Sequence, residues 1–162
     1  MKPILQAMLV ADHVYQDKSS GKMIVVGIFN TLWMFKRSET NPDNPQEPAK
    51  SEETVGERKL HPHEISRAGS PFCYINLTSV RGTLPLEIRY VDLNDNTILL
   101  RIGFSIQSDD PLKNFECAAI LPPLPVPHPG CYAMELLSNN ELLGTHRITA
   151  QEFVPPDEKG EH

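Results

Sequence analysis

Four polar residues near the N-terminus, Asp12, His13, Tyr15 and Asp17, stand beside the apolar run "GKMIVVGIF". A carboxylate, an imidazole and a phenol so close together are the materials of general acid–base chemistry or of a metal site. His146, in "LLGTHRITA", is a further imidazole set among apolar residues. The "HPH" at 61–63 would place two imidazoles on one side of an extended segment, but an open zinc site needs about three protein ligands. In "DLNDNT", Asp92, Asn94 and Asn96 match the first, third and fifth positions of a calcium loop. Its sixth position is then Thr97 instead of glycine and its twelfth Gly103 instead of glutamate, so the turn reading is preferred. No GxSxG elbow, P-loop, GxGxxG after a strand, HExxH or paired CxxC is present, and no motif assigns an activity.

What such residues can do depends on the elements that carry them. Residues 4 to 14 and 22 to 35 are strand-like, and "YQDKSSG" between them supplies turn chemistry. On a strand Asp12 and His13 project to opposite faces, so without a bulge they cannot share one ion or form a dyad. His13 shares a face with Tyr15, and Asp17 is expected to cap its own turn, which makes the cluster most simply the polar end of a hairpin. His146 shares parity with Ile148 and Ala150 and is expected to point inward as a satisfied histidine. The run 22–35 is apolar on both parities and reads as a central strand covered on both sides.

Further along, "FCYINLTSV" reads as a strand. "LPLEIRYVDL" and the run from Ile98 to Ile106 alternate in period two about a tight turn, which is a hairpin. "FECAAIL" is a short strand, and "CYAMELLSNNELLGTHRITA" is a hairpin turned at Asn139-Asn140. The proline-dense "LPPLPVPHPG" contains a minimal PxxP at Pro122 to Pro125, without basic flanks, and reads as a crossing between sheets. These elements predict an all-β fold: an antiparallel two-sheet β-sandwich of about eight strands, Ig-like or C2-like. Residues 1–154 form its single domain, with a loose tail from 155. Within the domain, 36–71 holds five prolines and thirteen charged residues and is expected to be a polar insertion, a long loop or a partly disordered segment.

The wording "ADHVYQD", then "GKMIVVGIF", then "PGCYAMELLSNNELLG" resembles small bacterial β-sandwich proteins of a domain-of-unknown-function family. The likeness covers about the first 30 residues and the last 35 of the regular structure. It implies a sandwich fold and a bacterial, cytoplasmic setting, and it implies no activity or functional residues.

With 162 residues, one domain can bury about two-thirds of its unfolded surface. A net charge of −6, from 21 acidic and 15 basic residues, offers no basic stripe for nucleic acid. No run approaches the roughly 18 apolar residues of a membrane span. Cys73, Cys117 and Cys131 lie in apolar stretches without CxxC spacing and are expected to be buried thiols in a reducing compartment. The expectation is a non-catalytic binding or assembly module acting through a protein partner or self-association, without cofactor or metal. Asp12, His13, Tyr15 and His146 are its candidate binding residues. The alternative is a small-molecule or carbohydrate-binding domain, or a hydrolase, with a cleft at the end loops; two of those residues in hydrogen-bond reach beside a tyrosine would favour it.

Overall fold

Period-two alternation and tight turns build nine strands in the computed structural model, which describes residues 2–35 and 70–154. They are β1 (Ile4–Gln16), β2 (Met23–Ile28), β3 (Thr31–Phe35), β4 (Phe72–Thr78), β5 (Gly82–Asp92), β6 (Thr97–Ser108), β7 (Phe115–Ile120), β8 (Gly130–Ser138) and β9 (Glu141–Phe153). They form a four-stranded sheet in the order β2-β1-β4-β7 and a five-stranded sheet in the order β3-β9-β8-β5-β6. No helix occurs among the described residues. The expected two-sheet β-sandwich is therefore observed, antiparallel except for the parallel pair of β3 with β9.

The three expected hairpins form. β5 pairs with β6 about a turn in which Asn94 N–H donates to Asp92 Oδ1, Thr97 N–H donates to Asp95 Oδ1, and Asn96 takes a positive φ. β8 pairs with β9 from Ser138↔Glu141, leaving Asn139 and Asn140 in the loop with φ of 48° and 63°. Both values suit the left-handed central positions of a type I′ turn. The "DLNDNT" segment is a hairpin turn, as its missing calcium positions imply.

One expectation is overturned. Residues 22–35 are not a single central strand: β2 is the edge of the four-stranded sheet and β3 the edge of the five-stranded one. The chain crosses between sheets at Phe29-Asn30, so the side facing the core changes partway along the run, and both parities read as apolar. At the crossing, Phe29 N–H donates to Val10 O in one sheet while Asn30 O accepts from Thr149 N–H in the other. Splitting this run raises the strand count to nine.

The core lies between the sheets. Val10, Cys73 and Ile75 from one side meet Ile88, Tyr90 and Met134 from the other, and all are fully buried. The 121–129 crossing, which joins β7 to β8 and so one sheet to the other, contributes Leu121, Leu124 and Val126 to the same core. Burial of each such side chain favours the folded state by about 1.5–3 kcal/mol, which holds a segment with few amide donors of its own. Leu121 N–H bonds Pro71 O. Pro71, placed in the insertion by composition, is buried and belongs to the body of the domain. The rest of the insertion, including His61 and His63, and the tail from 155 lie outside the described residues.

Candidate functional site

The N-terminal hairpin is built by its turn. Asp17 accepts the backbone N–H groups of Ser19 and Ser20 and both of their hydroxyls, and Gly21 N–H closes onto Asp17 O at 2.8 Å. The Ser20 hydroxyl, then the Ser19 hydroxyl and the two amides, hold the Asp17 carboxyl down to about 2. That is the self-capping turn expected from the sequence.

Asp12, His13 and Tyr15 sit on the last part of β1 and are exposed. Gly27 lies opposite Asp12 with φ +71°, and a Cβ there would fall 2.4 Å from Asp12 Oδ2. Glycine thus permits both the left-handed backbone and the close approach of the carboxylate. His13 pairs across the hairpin with Val26 and Tyr15 with Ile24, and the His13 ring lies 6.3 Å from that of Phe72. His146 is half-buried, and its Nε2 stands 3.0 Å from Phe29 O at the β2–β3 crossing. Because the partner is a carbonyl, Nε2 carries the proton and donates. Among the described residues, no hydrogen bond or ion pair joins any two of Asp12, His13, Tyr15 and His146. His146 is instead the side chain that satisfies the crossing.

What the hairpin does gather is apolar surface. Along β2, Met23 and Val25 pack into a cluster with Ala11, Val14 and Tyr74, while Ile24, Val26 and Ile28 are 36%, 43% and 55% exposed. Tyr15, opposite Ile24, is 53% exposed. Edge strands usually carry a charge that discourages pairing with another chain. Among the four edges, β6 has Arg101 and β7 has Glu116, whereas β2 and β3 have no charged residue; β2 is the one whose exposed side chains, Ile24, Val26 and Ile28, form a continuous aliphatic row.

A second cluster, not singled out from the sequence, lies at the β5–β6 end of the five-stranded sheet. Asp92, 2% exposed, is paired at 2.6 Å with His128 Nε2 from the proline-dense crossing. His128 Nδ1 stands 3.0 Å from Pro129 O. The Tyr132 hydroxyl donates to His128 O at 2.6 Å, and Tyr132 stacks on Tyr90 at 5.4 Å between centroids. The Pro129 carbonyl and then the Asp92 carboxylate push the His128 imidazole above its ordinary value. With both ring nitrogens engaged, His128 has none free to take a proton from a nucleophile, so this Asp–His pair is not arranged as a catalytic base. The only signal in the sequence was a histidine inside a proline run and an aspartate at a turn, whose meeting depends on the crossing.

The thiols differ from expectation at one position. Cys73 is buried and Cys117 half-buried, and burial pushes them up to about 12 and about 11, but Cys131 is exposed at the start of β8. There it alternates with the inward-facing Tyr132.

No protein-family model and no curated protein matches the chain. A solved structure described as an immunoglobulin-like protein from Pseudomonas aeruginosa is similar over 93% of this chain and 98% of that one. The identity is 10% and the TM-score 0.37, a level at which the likeness adds nothing to the strand pairing described above.

Proposed function

We propose that the protein is a non-catalytic recognition module that binds an extended segment of a protein partner along the β2 edge. The supporting observation is the uncharged edge strand itself, with Ile24, Val26 and Ile28 exposed beside Tyr15. A strand added to such an edge gains main-chain hydrogen bonds, and its alternate side chains find an apolar row to cover. His13 and Tyr15 then flank the incoming segment, one able to hydrogen-bond and the other to stack. A second copy of this chain, pairing β2 against β2, is one form of such a partner.

The test compares wild type with Val26→Lys, which places a charge on the edge without touching the core, and with Leu112→Lys, a change at a remote exposed residue. Self-association is followed by sedimentation and partner recovery by quantitative affinity capture, after matched melting curves. Val26→Lys is expected to lower recovery or association by about tenfold or more while Leu112→Lys leaves it unchanged. Equal recovery by all three proteins contradicts the proposal.

A further inference from the structure

The 121–129 crossing closes the sandwich by joining its two sheets, and it is fastened at its far end by His128. The groups facing that imidazole are Asp92 from the end of β5, Asp95 from the β5–β6 turn, the carbonyl of Pro129 on the crossing itself, and the ring of Tyr132 from β8, 5.8 Å away between centroids, whose hydroxyl bonds the His128 backbone. Two of them take up both ring nitrogens: Asp92 Oδ2 faces Nε2 at 2.6 Å and Pro129 O faces Nδ1 at 3.0 Å. Both are acceptors. A neutral imidazole has one N–H and one lone pair, so in that form one acceptor would face a lone pair; only imidazolium donates to both. Asp92 is buried, its other oxygen is occupied by Asn94 N–H, and His128 is its ion-pair partner among the described residues.

We propose that His128 is a proton-dependent latch: as imidazolium it pins the end of the 121–129 crossing to Asp92, and deprotonation breaks that ion pair and loosens the end against the five-stranded sheet. Neutral His128 can keep a hydrogen bond to Asp92 or to Pro129 O, but not both, and the buried Asp92 charge loses its counter-ion. The hydrophobic anchors Leu121, Leu124 and Val126 and the bonds of the Tyr132 hydroxyl to the His128 backbone remain, so the change is a local loosening of the crossing's end, not unfolding. The sign is set by the direction of the shift. A histidine raised in the folded state contributes stabilisation that is fully present below its ordinary value of 6.5 and lost as pH rises through the higher folded value. The latch is therefore closed in mildly acidic conditions and opens above pH 6.5.

The experiment is an NMR titration of the full chain from pH 5.5 to 9, with the His128 Cε1–H resonance assigned by comparison with His128→Gln. Amide exchange is recorded over the same range and corrected for its intrinsic pH dependence. The reporter is the amide of Leu93, which bonds Cys131 O beside the latch; the amide of Phe29, which bonds Val10 O, is the control. The expected result is a His128 midpoint above 6.5, with Leu93 protection falling about tenfold through that midpoint while Phe29 protection stays level. In Asp92→Asn the His128 midpoint should fall, and Leu93 protection should no longer follow pH. A wild-type midpoint at or below 6.5, or Leu93 protection that is constant across the His128 titration, overturns the latch, whether or not the variant folds.

Discussion

Gly27→Ala is the sharpest probe of how the N-terminal hairpin is built. The φ of +71° costs an alanine about 1–2 kcal/mol. The new Cβ would also lie 2.4 Å from Asp12 Oδ2 and 3.0 Å from Asp12 Cβ and Cγ, so the exposed carboxylate must swing to another rotamer. That displacement costs roughly 0.5–1.5 kcal/mol. Against both stands the smaller conformational freedom of alanine in the unfolded chain, about 0.4–1 kcal/mol. The net expectation is a loss of about 2 kcal/mol, or roughly 4–8 °C in melting temperature for a chain of this size. In an Asp12→Ala background the contact is gone, and the same substitution should cost only about 1 kcal/mol. Urea unfolding of the four proteins in the cycle measures both values. A cost below about 0.5 kcal/mol in either background would refute the left-handed assignment of Gly27. Equal costs in the two backgrounds would refute the close approach of Asp12.

Three further expectations are open to direct measurement. His146→Leu removes the donor to Phe29 O and should destabilise by about 1–3 kcal/mol in urea unfolding, because the carbonyl is left without its protein partner at the crossing. The Asp17 carboxyl, held at about 2 against an ordinary 3.8, should leave the Ser19 and Ser20 amide shifts constant above pH 4 and move them only as pH falls towards 2; Asp17→Asn should abolish the transition. At pH 8 one thiol per chain, Cys131, should react rapidly with a disulfide reagent, while Cys73 and Cys117 react only on unfolding; prompt reaction of a second thiol would contradict their burial.

The legible parts of this fold are those where cause and effect are close in sequence. The β5–β6 and β8–β9 hairpins follow from period-two alternation interrupted by asparagine-rich turns, and Asp17 caps a turn made of its own neighbours. Long-range partnership was hidden. The run 22–35 looked like one two-sided strand because apolar parity cannot show that the chain passes from one sheet to the other at Phe29-Asn30. For the same reason the inward-facing reading of His146 was available, but its bond to Phe29 O was not. His128 and Asp92 are 36 residues apart, and their ion pair exists only because the proline-dense crossing returns to the end of β5. The exposed row on β2 was visible as hydrophobicity, and its edge position came from sheet order, which alternation does not encode.

Recognition along the β2 edge is most directly tested by placing a photo-crosslinking amino acid at position 26 in the full chain, with position 101 on the β6 edge of the other sheet as the comparison. After irradiation in native extract and at micromolar concentrations of the pure protein, discrete protein adducts are expected from position 26 and not from position 101. Adducts at 101 without adducts at 26, or equal labelling at both, would contradict it.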